Sequence, residues 1–153
     1  MTESTTRDVT RFEAVGDGRL IGLLIPADFD QFADYYPKDG RRAYVTDFGL
    51  PLQVVSGVGD AGESGSNHVH PSVPASTSWP TRHKVVVCIA GSIDVELSEG
   101  DGSPVGTASL TAGAALLCTE GHRVVFRTNG SRMIEVKQGP FPGTTELDRV
   151  MID

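Results

Sequence analysis

His68-Val69-His70 and Gly121-His122 carry the side chains best suited to chemistry in this 153-residue chain. Alternate residues of an extended strand point to the same face, so His68 and His70 would present two imidazoles side by side. A third imidazole, His122 on a distant strand, would complete a facial triad. Such triads hold a divalent metal while leaving coordination positions open. That convergence points to a metal enzyme acting on a small organic molecule.

The elements that must position these rings are short strands. Eighteen glycines and nine prolines imply many turns. Residues 1–10 are polar and expected to fray. Arg19 to Ile25 reads as a strand. Pro26 then suits the first turn of a short N-terminal helix, with Phe29, Phe32, Ala33 and Tyr36 at helical spacing up to Pro37. Ala43–Thr46 and Leu52–Val58 are strand candidates, and the glycine-rich turn Gly57–Asn67 delivers the chain to His68. Val85–Ala90 is a continuous apolar run, and Gly91-Ser92 turns it into the alternating Ile93, Val95 and Leu97. Strands through Val105–Leu110, Ala114–Cys118 and His122–Arg127 follow. Asn129-Gly130 is the strongest hairpin signal, joining the His122 strand to Met133–Lys137. Thr145–Met151 has room for one or two helical turns. Eight to ten short strands with one early helix predict an all-β, antiparallel jelly roll forming a single domain over residues 1–153.

Gly62, five residues, and then His68-Val69-His70 resembles the first motif of the cupin family, and Val85–Leu97 with Gly91 at its turn resembles that motif's hairpin. Gly113, the apolar Ala114–Leu117 and Gly121-His122 resemble the second motif. Glu135 to Phe141 resembles the closing strand of small single-domain cupins. The resemblance spans residues 51–141 and implies a barrel with His68, His70 and His122 around a metal. Two departures matter. The interval from His70 to the hairpin is stretched by Pro71 to Arg82 so that the family's glutamate position falls on Lys84, and the second motif lacks its proline. Because the Val85–Ala90 run is apolar on both faces, alternation does not decide whether His83 or Lys84 enters. If His83 enters, all four histidines surround one metal, as the resemblance to zinc-containing cupin polyketide cyclases permits. If Lys84 enters, a desolvated amine beside the metal is a candidate base.

Around the metal the wall is expected to be apolar, with Val124, Phe126 and Cys88 facing in. Trp79, near the end of the long Pro71–Arg82 connection, is a candidate lid residue. Glu63 and Glu120 are candidates for orienting an imidazole.

Three function classes fit. The first is a non-redox isomerase, cyclase or lyase working through a carbonyl or enolate on a histidine-ligated divalent ion, zinc or iron. The second is an iron dioxygenase with three histidine ligands. The third, a metal-free sugar-nucleotide isomerase or a binding module, rests on the likeness of Val87–Asp94 to a hairpin of cupin-fold ketoisomerases. A formal charge of −7, with 13 basic and 20 acidic residues, argues against nucleic acid and anionic membranes as partners. No apolar stretch approaches a membrane span, and the first ten residues do not resemble a secretory signal, so the expected location is the cytoplasm. Cys88 and Cys118 sit in apolar runs and are expected to be reduced and buried. A homodimer is expected from the resemblance and from the strands before Pro51.

Overall fold

The computed structural model describes residues 8–34, 40–73 and 79–153. Two antiparallel sheets face each other. The first is built from β3 (Ala33–Asp34), β4 (Arg41–Tyr44), β5 (Leu52–Gly59), β7 (Lys84–Ala90), β10 (Ala115–Cys118) and β12 (Ser131–Gln138), in the order β10-β7-β12-β5-β4-β3. The second is built from β6 (His68–Val69), β8 (Ser92–Ser98), β9 (Pro104–Thr111), β11 (Gly121–Phe126) and β13 (Val150–Met151), in the order β13-β6-β11-β8-β9. A separate hairpin of β1 (Thr10–Glu13) and β2 (Leu20–Leu24) precedes them, and α1 (Thr145–Asp148) is a single helical turn near the C-terminus. This is the antiparallel jelly roll the sequence predicts. No helix among the described residues is long and apolar enough to cross a membrane.

The N-terminal helix expected after Pro26 is not formed in the described part of that segment. Phe29 N–H closes a turn onto the Pro26 carbonyl at 3.1 Å, and Ala33–Asp34 pairs with Arg41–Arg42 as an edge strand. Burial of Phe29, its edge-on contact with Phe32 (centroids 5.2 Å apart) and the Arg132 guanidinium donating to its carbonyl at 2.6 Å hold the segment on the sheet. Tertiary contacts here outweigh a weak local propensity. Tyr36 and Pro37 lie outside the described residues.

The turns at Gly91 and at Asn129-Gly130 are corners between sheets, not hairpins. β7 and β12 belong to the first sheet, while β8 and β11 belong to the second. The two corners dock on each other: Ser92 N–H donates to Thr128 Oγ1 at 3.1 Å, and Ser131 Oγ donates to the Ser92 carbonyl at 3.0 Å. Gly91 has φ of 70°, and a Cβ there would collide with Ser131 Oγ, so only glycine fits.

Strand alternation divides the interior into two halves. At one end Val86, Cys88, Ile93, Val95, Leu110, Cys118, Val124, Phe126 and Met133 form the apolar core. Toward the other end the same strands turn polar on the same face: Lys84 on β7, His122 on β11, and Glu135 and Lys137 on β12 are all buried. One sandwich therefore carries its hydrophobic stabilisation and its chemistry on shared strands.

Candidate metal centre

His68 and His70 sit on one face, as strand alternation requires, and β6 lies against β11 with His68 and His122 as direct partners. Cross-strand neighbours of this kind have Cβ atoms about 5 Å apart, which places two rings in contact. The ring centroids are 4.4 Å apart for His68 and His122, 5.0 Å for His68 and His70, and 5.4 Å for His70 and His122. The three side chains are buried, and one ring nitrogen of each lies within 4.8 Å of the other two. The glycine before His122 is required by packing. A Cβ at Gly121 would collide with Ser98 Oγ and with Ile152 near the C-terminus.

Each ring is held by its Nδ1, which donates to a backbone carbonyl: His68 to Ser66 at 2.8 Å, His70 to Asp148 at 2.8 Å and His122 to Glu120 at 2.9 Å. A carbonyl only accepts, so Nδ1 carries the proton and Nε2 keeps its lone pair. Among the described residues, the Nε2 atoms of His70 and His122, and that of His83 outside the cluster, are buried with no hydrogen-bond partner. Leaving such atoms unsatisfied costs about 1–3 kcal/mol each. Burial, reinforced by the neighbouring imidazoles and lysines, depresses all three imidazoles well below the ordinary histidine range, His70 to about 3. The rings are therefore neutral, fixed in one tautomer and aimed at a common point, which is what a divalent ion needs from imidazole ligands. The residues fit a metal.

His83 stands apart from this cluster. Lys84 faces inward opposite Lys137 of β12, and parity sends His83 outward, where its ring meets Trp79 at 5.3 Å between centroids. The expected alternatives at this position resolve geometrically: Lys84 lines the cavity beside His68 and His70. Trp79 is 61% exposed and does not line that cavity. Residues 74–78 of the expected lid lie outside the described residues. The base of that connection is closed by Ser72 N–H to the Pro80 carbonyl at 3.2 Å and Arg82 N–H to the His70 carbonyl at 2.8 Å.

The expectation of an apolar wall needs correction. Of the residues expected there, Val124 lines the cavity, whereas Cys88 and Phe126 belong to the apolar core. The rest of the lining includes Arg42, Tyr44, Lys84, Glu135, Lys137, Asp148 and Arg149. Lys84 Nζ donates to Glu135 Oε1 at 3.1 Å, and Lys137 Nζ donates to Asp148 Oδ2 at 2.6 Å. Asp148 is the hub. Its Oδ1 accepts from Arg82 at 2.8 Å, and its backbone carbonyl accepts from both Arg82 and His70 Nδ1. Burial alone would raise the Asp148 carboxyl, but the His70 hydrogen bond and the Lys137 charge outweigh it and hold it far below the carboxylate range. Burial likewise opposes ionisation of Glu135, and the charges of Lys84, Arg42 and Lys137 reverse the sign and keep it ionised. Lys137 is pulled down to about 8 by burial, against the raising influence of Asp148.

Glu63 and Glu120 do not orient the rings through their carboxylates. Glu120 supplies its main-chain carbonyl to His122, while its carboxylate accepts from Gly100 N–H at 2.9 Å. The Glu63 carboxylate accepts from Asp60 N–H at 2.6 Å. The short Nδ1 bonds of all three rings go to main-chain oxygens, a role that side-chain type does not reveal, and only His70 has a carboxylate as well, Asp148 Oδ2 at 3.5 Å. Glu135 and Lys137 had a visible signal, two charges at alternate positions of one strand.

A scan against protein-family models gives no match, and a search of curated proteins also gives none. Solved structures do match. KdgF from Halomonas sp. is similar at 21% identity over 72% of this chain and 89% of that one, with a TM-score of 0.56. An RmlC-like cupin from Shewanella frigidimarina matches at 20% identity over 76% of this chain and 86% of that one, with a TM-score of 0.53. Oxalate decarboxylase from Bacillus subtilis matches at 15% identity over 80% of this chain, with a TM-score of 0.58, but this chain spans only 30% of that enzyme's length. At these identities the likeness is one of fold. Two antiparallel sheets closing around inward-facing histidines, superposable on three separate cupins, give this chain the cupin fold.

Proposed function

We propose that the protein is a metal-dependent enzyme acting on a small organic substrate by non-redox chemistry, as an isomerase, cyclase or lyase. One observation carries the reading: three neutral imidazoles, each locked through Nδ1, bring ring nitrogens within 4.8 Å of one another, and two of their Nε2 atoms have no hydrogen-bond partner among the described residues. His68, His70 and His122 would hold the ion. When bound, a divalent ion supplies Lewis acidity to a substrate oxygen while the ligands leave its charge undiminished. Lys84 and Glu135 form a proton-holding pair on the wall of the same cavity. Their place suits moving a proton at the carbon beside that oxygen, with Lys84 as the group that donates or accepts it. Burial by Val124 and the facing strands limits the access of bulk water.

Zinc fits this reading best, and iron is the alternative. The Bacillus subtilis oxalate decarboxylase of the same fold has Mn(II) centres, so the fold itself does not select one metal. Elemental analysis combined with an oxygen electrode separates the chemistries. Zinc without oxygen uptake supports the non-redox reading. Ferrous iron with substrate-dependent oxygen uptake replaces it with a dioxygenase.

We also propose a homodimer. Leu52, Ile89 and Leu117, at 57%, 39% and 58% exposure, lie on the strands of the first sheet. Next to them Leu23, Ile25, Pro26 and Ala27 form an apolar groove with Val54, Ile89 and Ile134. Apolar surface on this scale supports an association face.

A further inference from the structure

The outer face of the first sheet is apolar, and its β7–β10 end lies open among the described residues. Direct partners across a sheet share a face. The registers therefore set Leu117, Val85, Val136 and Val54 in one row, and Ala115, Val87 and Ile134 in the next. Leu117 and Ile89 are exposed at this end. β10 is also an edge strand. Such edges are usually blunted by charged side chains, yet Ala115–Cys118 carries none.

The β1–β2 hairpin lies against another part of this face, and it carries apolar side chains on both of its own sides. Arg11 and Leu23 are partners on one side. Leu23 lines the groove with Val54, Ile89 and Ile134, and Arg11 Nη2 donates to Asp47 Oδ2 at 3.2 Å, so this side faces the body of the protein. Thr10, Phe12, Gly22 and Leu24 form the other side, which therefore faces away. There the Phe12 side chain lies over Gly22, and Phe12 and Leu24 are both exposed. A two-stranded hairpin is marginally stable by itself in water. Packing on its own sheet accounts for Leu23 and Ile25 but not for Phe12 and Leu24.

An apolar ridge and a bare apolar strip thus lie side by side. The strands β10, β7, β12 and β5, about 4.8 Å apart and about 25 Å long, present roughly 500 Å² of face. Two copies joined by that face alone would bury roughly 1,000 Å², short of the about 1,200 Å² at which stable interfaces begin. The outward side of each hairpin adds about 150 Å² and closes the gap. Residues 1–7 and 74–78 hold a single large apolar side chain, Met1, and residues 35–39 join β3 to β4 at the opposite edge of the sheet, so these segments supply no comparable cover. A two-fold axis would set ridge against strip twice, once in each direction. From this juxtaposition we infer that the β1–β2 hairpin is a dimer clasp, with Phe12 and Leu24 of one chain docking on Leu117 and Ile89 of a second copy. The inference rests on the homodimer reading and names the contact that makes the dimer. It also braces β7 and β12 from outside, the strands whose inner faces hold Lys84, Glu135 and Lys137.

The test is sedimentation equilibrium of the wild-type protein, of Phe12→Lys, of Leu117→Glu and of an equal mixture of the two variants. Both positions are exposed, and circular dichroism checks that each variant folds. Each variant alone should raise the dimer dissociation constant at least about thirtyfold. The mixture should return to within about tenfold of wild type. In the mixed dimer one contact sets the new lysine against the new glutamate, and the other contact is Phe12 on Leu117 unchanged. A wild-type monomer overturns the homodimer reading and the clasp with it. A wild-type dimer whose affinity Phe12→Lys does not move overturns the clasp and leaves the homodimer reading in place. Two weakened variants that stay apart when mixed do the same.

Discussion

The ring of His70 is fixed from 78 residues away, by the backbone carbonyl of Asp148, which accepts its Nδ1 proton at 2.8 Å. The same residue's carboxylate takes Arg82 and Lys137 at 2.8 and 2.6 Å. One residue of the single-turn α1 thus orients a candidate metal ligand and neutralises two buried cations. The strand that follows completes the clasp, with Val150 pairing with Val69 and Met151 with His68. The C-terminal segment is therefore part of the site.

Asp148→Ala should destabilise the protein by about 3–5 kcal/mol, because it leaves Arg82 and Lys137 buried without their carboxylate. The backbone carbonyl to His70 survives the substitution, so metal affinity should fall by about tenfold rather than vanish. Urea denaturation and competitive chelation measure the two effects. A loss below 1 kcal/mol would show that the hub carries no weight.

The histidines set an acid limit for the metal-free protein. An unfolded histidine titrates near 6.5, whereas folded His70 does so at about 3, so between those values the unfolded chain holds more protons. His70 faces Asp148, which raises its affinity for a proton, and Lys137, Lys84 and His68, which lower it. Its stabilisation is complete above pH 6.5 and is lost as pH falls toward 3, by about 5 kcal/mol in all. Asp148 and Glu135, also depressed in the fold, add losses of the same sign below their ordinary range near pH 4. The melting temperature of chelated protein should therefore drop from pH 7 to pH 5, before the carboxylates titrate, and His70→Asn should flatten that part of the curve. A flat wild-type profile there would count against buried neutral imidazoles.

Lys84 and Glu135 should behave as a coupled pair. Lys84→Met and Glu135→Gln should each cost about 3–5 kcal/mol by leaving a buried charge unmatched. The double variant should recover about 2 kcal/mol relative to their sum. Chemical denaturation of the four proteins closes the cycle, and strict additivity would mean that the 3.1 Å contact contributes nothing.

Light scattering at micromolar concentration should give twice the chain mass. Ile89→Glu, which places a charge on the exposed apolar face of β7, should shift the protein to monomer without unfolding it. A wild-type monomer would remove the proposed association.

The sequence made the triad legible because a period of two is enough to pair His68 with His70, and a Gly-His step marked the third ring. Strand positions were legible for the same reason, from Leu52 onward especially. Three features were not. Whether Lys84 or His83 enters depends on the register of Lys84 against Lys137, which an apolar run on both faces conceals. On β12 the apolar Ile134 and Val136 point away from the cavity while Glu135 and Lys137 point in, the reverse of the usual pattern, because the outer face of this sheet is apolar too. And Asp148 meets His70 only through the closing of the C-terminal segment, a contact of long sequence separation that no local pattern encodes.

Metal stoichiometry tests the central claim most directly. Protein expressed in metal-replete medium should carry about one equivalent of a divalent transition metal per chain, and His122→Ala should lose it while keeping its circular dichroism spectrum. Wild-type protein with less than about a tenth of an equivalent, or a variant that retains the wild-type content, would contradict the account.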